Sequence, residues 1–190
     1  MAPVSSPPPT ETLVARSREG DAEAYGELVR RHFRAAYAVA LAVTREPAEA
    51  EDLAQDAFLV AHQRLHECRE PARFHTWLLQ IVRNRSLNRL EHLKIRSAHA
   101  DSVRTSDRAS GIHPAAGDLA LRRRLLDALS ELSEREREVV LLHDLEGWTH
   151  AEIAEVLDTT EGNSRQFLFQ ARRKLRTSLQ AVKKEVTGGD

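Results

Sequence analysis

Apolar residues in this chain return at every third and fourth position, and no stretch bounded by turn residues alternates apolar with polar. A period near 3.6 is the signature of helices, whereas a half-buried strand needs a period of two. The chain is therefore expected to be all-α. Tyr25, Leu28, Val29, Phe33, Tyr37 and Ala40 form one stripe, with Asp21 placed to cap its start. Leu53, Ala54, Ala57, Phe58 and Ala61 form a second, and Pro47 suits its first turn. Phe74, Trp77, Leu78 and Ile81 form a third, after a break at Pro71. Aromatic residues are only 5% of the chain, so the core must rest on Leu, Val and Ala, as helical bundles commonly do.

From about Ser97 to Asp118 the periodicity is lost, and Ser, Asp, Ala, Gly111, Pro114 and Gly117 dominate. A structureless stretch of that length is uncommon inside one domain, so residues 97–117 are expected to be a flexible linker between two small helical domains, 11–96 and 118–181. The opening MAPVSSPPPTETL reads as a short disordered tail, bounded at residues 1–10, and residues 182–190 as another. In the second domain Leu121, Leu125, Leu126 and Leu129 make a stripe, and Ser133 with Glu136 makes a capping box before Val139 to Leu142. Gly147 is expected to end that helix.

Several classes are disfavoured. No apolar run approaches the roughly 20 residues of a membrane helix, and the N-terminus lacks a signal peptide's basic and apolar regions. A single cysteine, Cys68, allows no internal disulfide and suits a reducing cytoplasm. No Gly-rich phosphate loop, G-x-S-x-G or H-E-x-x-H occurs, so neither an enzyme nor a cofactor is expected. His62, His66 and Cys68 have a spacing that could ligate zinc, but a polar helix face explains them more simply, and no metal site is expected.

The formal net charge of −1 conceals strong segregation. Acids crowd residues 19–56, while bases crowd 83–96 and 165–184. A neutral chain arranged in this way can still offer a basic surface to phosphates. In the C-terminal part, Thr149 and Glu152 form a capping box for a short helix carrying Ile153, Ala154 and Leu157. A tight turn over Asp158 to Glu161 leads through Gly162 into a longer helix with Leu168, Ala171, Leu175 and Leu179 on one face. Asn163, Arg165, Gln166, Phe169, Gln170, Arg172 and Arg173 can then point away from the core. Short helix, turn and cationic helix, in that order, fit a helix-turn-helix. Arg and Gln can bond base edges in the major groove, and an aromatic ring can pack on a thymine methyl.

The N-terminal part carries a second cluster. In RFHTWLLQIVRNRSLNRL, residues 73–90, an apolar half is followed by Arg83, Asn84, Arg85, Asn88 and Arg89. With both halves in view, the chain resembles the bacterial RNA polymerase sigma factors of the extracytoplasmic-function (ECF) group. EDLAQDAFLVAHQRL resembles the family's D-L-x-Q-[DE]-x-F-[LI] helix, FHTWLLQIVRNRSLNRL its F-x-x-W-L-x-x-I-x-x-N helix, and AEIAEVLDTTEGNSRQFLFQARRKLR its helix-turn-helix.

The resemblance covers about residues 11 to 180 and implies specific roles. Asp52, Leu53, Gln55, Asp56 and Phe58 would dock on the clamp coiled coil of the polymerase largest subunit, with Leu53 and Phe58 behind or beside the polar three. Arg83, Asn84, Arg85, Asn88 and Arg89 would face the minus-ten promoter element where the duplex opens, with Asn84 at the pocket for a flipped base and the arginines on phosphates. Phe74 and Trp77 would stay mainly in the core. Asn163, Arg165, Gln166, Phe169, Gln170, Arg172 and Arg173 would face the minus-thirty-five element, with the polymerase flap nearby. An anti-sigma protein is the further partner implied. Cys68 stands where the family usually has an aromatic, and Gln166 and Gln170 replace a Ser and an Arg. The alternative reading is a helix-turn-helix regulator that binds duplex DNA without polymerase.

Overall fold

A computed structural model describes the backbone of residues 7–99 and 116–187, and side chains over 7–95 and 123–179. The described residues are helical with no strand. The helices are α1 (Thr10–Arg18), α2 (Ala22–Thr44), α3 (Pro47–Gln63), α4 (Phe74–His99), α5 (Ala116–Ser130), α6 (Glu134–Val140), α7 (His150–Leu157) and α8 (Glu161–Thr187). Two 3₁₀ turns, Leu65–Glu67 and Pro71–Arg73, carry the chain from α3 to α4, and a π-helical turn, Leu141–Leu145, extends α6.

Local chemistry accounts for most of the boundaries. Asp21 caps α2 by accepting from the Ala24 amide at 3.0 Å, and Pro47 occupies the first turn of α3. Both capping boxes are present: the hydroxyls of Ser133 and Thr149 accept from the Glu136 and Glu152 amides, and those glutamate carboxylates accept from the Ser133 and Thr149 amides. Gly147, at φ 75°, takes the left-handed turn after the π-helical segment, where a Cβ would be strained.

α2 is the centre of the N-terminal bundle and packs against α1, α3 and α4. Its second half, Ala35 to Val43, is buried on nearly every side, because α6 and the π-helical turn lie against it as well. A helix apolar all round must be covered all round. The two halves of the chain therefore share one continuous core, which includes Leu28, Phe74 and Leu78 from the first half and Leu132, Leu142 and Ile153 from the second.

Three sequence expectations change. The N-terminal tail is shorter than MAPVSSPPPTETL: α1 begins at Thr10, and Leu13 and Val14 are buried in the bundle. Two adjacent apolar residues after a proline run are too short a pattern to announce a helix. α4 continues through His99 and α5 starts at Ala116, so helix enters both ends of the expected 97–117 linker; residues 100–115 lie outside the described part. Finally, the α5 stripe is not uniformly internal: Leu126 and Leu129 pack on the core, Leu125 is exposed, and the Leu121 side chain lies outside the described set.

The burial of α1 gives a direct test. Leu13→Ala should cost about 2–5 kcal/mol in urea unfolding, as a cavity in a packed core does. A shift within about 0.5 kcal/mol, as at a surface position, would return this segment to the tail.

Candidate functional site

On α3, Asp52, Gln55 and Asp56 are exposed and share one face, while Leu53 and Phe58 are buried beneath them. The two apolar members of the expected docking set therefore sit behind the polar three, with Leu53 also at the wall of an open groove. The same i, i+3, i+4, i+7 spacing puts Leu59 on the exposed face, where it is 64% accessible. Periodicity does not single out Leu59, because its neighbour Phe58 carries the core signal there. An apolar side chain held in water beside two carboxylates completes a mixed polar and apolar face.

That face borders α4. Asp52 and Asp56 of α3 and Arg85, Asn88 and Arg89 of α4 line one open groove of about 510 Å3. Arg85 donates to Asp56 at 3.2 Å, and Arg89 is bonded to Glu49. Burial is low at these pairs, so they hold the cations in place but remain exchangeable with an incoming anion. Asn84 and Asn88 are exposed, and Asn88 lines the groove. Phe74 is wholly buried and Trp77 packs partly against the core, as their spacing predicted. Ser86, also fully buried, returns its hydroxyl to the Val82 carbonyl at 2.9 Å.

Arg83 differs from its neighbours. Its Nε donates to Glu138 at 2.8 Å and its Nη2 to Glu134 at 3.2 Å, both on α6 of the second half. Glu138 has no exposed side-chain surface, and burial raises its carboxyl above the usual range despite Arg83 and Arg135. Nearby, Arg137 is buried and donates to the carbonyls of Leu129 at 2.8 Å, Leu132 at 2.7 Å and, across the halves, Ala42 of α2. Desolvation lowers the Arg137 pKa to about 10, which leaves the guanidinium charged at neutral pH. His75 of α4 meets the Trp148 ring edge to face at 5.0 Å. Sequence periodicity could not reveal the contacts across the halves, since each of those joins segments more than 50 residues apart.

Before α4, Arg18 of α1 donates to the carbonyls of Leu65 and Cys68 and anchors the loop. Cys68 is buried, and burial pushes its thiol up, away from the range of an activated thiolate. His62 packs on Tyr25 and His66 lies in a 3₁₀ turn; no group of three or more metal-ligating side chains occurs among the described residues.

In the second half, α7, a turn through Asp158 in the left-handed region, and α8 form the helix-turn-helix. Thr160 caps α8, its hydroxyl accepting from the Asn163 amide at 3.1 Å. The Asn163 side chain in turn donates to Thr159 at 3.3 Å, so it braces the turn. Ser164 is fully buried with its hydroxyl 2.9 Å from His150 Nδ1, which ties α8 to α7. Leu168 and Ala171 are buried, Phe167 and Leu175 are partly so, and Leu179 is exposed. Arg165, Gln166, Phe169, Arg172 and Arg173 face solvent, with Gln170 half-buried. Phe169 is 67% accessible. Arg165 pairs with Glu161 at 2.6 Å, and Arg172 grips Asp144 with two arms, one at 2.9 Å.

Among the described residues, no helix is long and apolar enough to cross a membrane. Two family models match the two halves separately: Sigma-70 region 2 over residues 28–94 and Sigma-70, region 4 over residues 122–175. The RNA polymerase sigma factor CarQ of Myxococcus xanthus is 33% identical over 90% of this chain and 98% of its own length. The ECF RNA polymerase sigma factor SigM of Mycobacterium tuberculosis is 32% identical over 86% of this chain and 81% of its own. Another curated relative is longer, and the chain spans 41% of it. In fold, the chain is similar to the sigma factor RpoE solved with the anti-sigma factor NepR from Bartonella quintana, with a TM-score of 0.69 at 23% identity over 82% of this chain and 96% of that one. The chain, helical in both halves and matched along both, belongs to the ECF group of RNA polymerase sigma factors and acts as a non-enzymatic factor of transcription initiation.

Proposed function

We propose that the exposed α3 face of Asp52, Gln55, Asp56 and Leu59 docks on the clamp of the polymerase largest subunit. α4 then meets the minus-ten element and α8 the minus-thirty-five element beside the polymerase flap. The observation that carries the reading is the solvent face of α8, where Phe169 is held out in water among Arg165, Gln166, Arg172 and Arg173. An exposed ring is costly unless something covers it, and a thymine methyl between flanking phosphates suits this mixture.

The two DNA-facing sets have different tasks. On α8, Arg165 is placed near the helix N-terminus, where an HTH helix meets base edges. Arg172 and Arg173, two turns further on, would hold phosphates and add affinity without sequence information. On α4, Asn84 offers both donor and acceptor to an unstacked base, while Arg85 and Arg89 are set to exchange Asp56 and Glu49 for backbone phosphates. On this reading polymerase docking and strand opening would fall on adjacent helices that line one groove, so binding one would restrain the geometry of the other. An anti-sigma protein is the expected negative regulator, as RpoE is solved with one.

Run-off transcription with bacterial core polymerase on a randomised promoter pool tests the whole. Transcripts should arise only with the factor present, from starts that share an upstream motif pair. Tight duplex binding by the protein alone, without transcripts, would instead support a polymerase-independent regulator. Within that assay Arg165→Ala should cost about 1–3 kcal/mol and relax one minus-thirty-five position. Unchanged promoter preference would remove that assignment. Asn84→Ala should impair the minus-ten element more than the minus-thirty-five element.

The Arg172–Asp144 pair gives a pH test. Hydrogen bonds from Arg172 hold the Asp144 carboxyl below the usual aspartate range, so the pair stabilises the fold above that range and is lost as pH falls through the depressed value. Carboxyl NMR should place Asp144 low in the free protein and return it toward normal in Arg172→Ala. An unshifted Asp144 in the parent protein would show that Arg172 is already free.

A further inference from the structure

Where the π-helical turn meets the helix-turn-helix, two histidines face each other. His143 of the turn and His150 at the start of α7 stack with ring centroids 4.7 Å apart and planes 29° apart. Each ring uses its Nδ1 inside the protein: His143 bonds Asp144 at 2.9 Å, and His150 bonds the buried Ser164 hydroxyl of α8 at 2.9 Å. Arg172 of α8 holds the same Asp144 carboxylate through its Nε and one Nη. We propose that His143, oriented by Asp144, is a proton-linked phosphate contact, so that binding of the minus-thirty-five element takes up a proton at its Nε2. The proposal rests on the α8 assignment of the proposed function.

Hydrogen-bond chemistry fixes where that proton goes. An ionised carboxylate only accepts, and the Arg172 hydrogen bonds keep Asp144 ionised, so the hydrogen of a neutral His143 lies on Nδ1. Nε2 then carries a lone pair. Among the described residues it has no partner, yet it is not closed off as the buried Nε2 of His32 is. A phosphate oxygen is also an acceptor, so it can bond there only after Nε2 has taken a proton. A second donor is at hand, because Arg172 leaves its Nη1 clear of Asp144.

Charge makes the proton decisive. With His143 neutral, Arg172 and Asp144 cancel, and the cluster has little attraction for an anion. The charges that surround it are paired as well: Arg165 with Glu161 on α8, Arg34 of α2 with Glu146, and the α6 acids with Arg83, Arg135 and Lys174. Arg137 of α6 is turned onto backbone carbonyls. One proton on His143 therefore gives the cluster its net positive charge. His150 does not compete for it. Burial first, then the His143 ring and the Arg165 and Arg172 guanidinium groups, hold the His150 pKa below the ordinary histidine value against an opposing Glu161. His150 is instead the neutral platform against which the His143 ring is stacked.

Position favours a phosphate over any other anion. In a helix-turn-helix the second helix enters the major groove while the first crosses the backbone. His150 is the first residue of α7 and Arg172 lies on the exposed side of α8, so the cluster spans the edge between those two helices. The complex then holds more protons than the free partners. Association tightens as pH falls and weakens as pH rises, by at most about tenfold per pH unit for one proton.

Run-off transcription by the reconstituted holoenzyme at about pH 6 and about pH 8, on either side of an ordinary histidine titration, tests the proposal. Paired promoters carry the minus-thirty-five element intact or scrambled, and the ratio of their outputs cancels the pH dependence of polymerase itself. In the parent protein the ratio should rise several-fold toward the lower pH. In His143→Gln, which does not titrate, it should stay level. Asp144→Asn, which leaves Arg172 uncompensated, is the second variant, and its ratio should already be raised at the higher pH. Helical circular dichroism at both pH values checks that each variant is folded. A level ratio in the parent, a folded His143→Gln with the parent's slope, or a folded Asp144→Asn with the parent's ratio at the higher pH would overturn the proton-linked contact. Failure of the α8 assignment registers separately, as output unchanged by scrambling at either pH, and would take this proposal with it.

Discussion

The structure depends on covering one helix. α2 carries a run, AAYAVALAVT, apolar around its full circumference, and such a helix cannot rest on a bundle with one side in water. α1, α3 and α4 cover part of it, and α6 with the π-helical turn covers the rest. The small alanine side chains let the neighbouring backbones come close, so Arg137 of the second half can bond the Ala42 carbonyl directly. Arg83 on α6 and α7 on α4 join the halves beside that packing.

Placing the polar faces is then a matter of what the core leaves over. On α3, burial of Leu53, Ala57 and Phe58 turns Asp52, Gln55, Asp56 and Leu59 outward together. On α8, burial of Ser164, Leu168 and Ala171 turns Arg165, Gln166, Phe169 and Arg172 outward. The same stripes that stabilise the helices thus orient the candidate contacts. No separate device is needed to aim them. Fine positioning comes from caps and ion pairs: Thr160 and Asn163 brace the turn before α8, and Glu49 and Asp56 hold Arg89 and Arg85 over the groove.

Charge segregation in the sequence acquires a second meaning in the fold. Acids of residues 46–56 lie beside the bases of 85–89, and acids of α6 lie against Arg83. The basic surface expected from the distribution is therefore partly neutralised within the free protein. Exposed pairs of this kind contribute little stability and exchange readily, which would suit side chains that transfer to phosphate as proposed. The exception is Glu138, whose burial makes its pairing with Arg83 matter more than the surface pairs.

The sequence alone determined most of the helices, their caps and most of the outward faces, because hydrophobic period, N-cap chemistry and proline placement act within a few residues of each other. Asp21, Pro47, Ser133 and Thr149 all stand where local rules put them. So did the family motifs on α3, α4 and the helix-turn-helix, which are local strings. Only the tertiary structure decided that α1 belongs to the core, that Leu59 is exposed beside buried Phe58, and that Arg83 faces two carboxylates from the other half. The all-round apolar run of α2 did signal that a second cover was needed. Which segment supplies it depends on shape and charge matching between helices far apart in the chain, and no periodicity within either helix encodes that pairing.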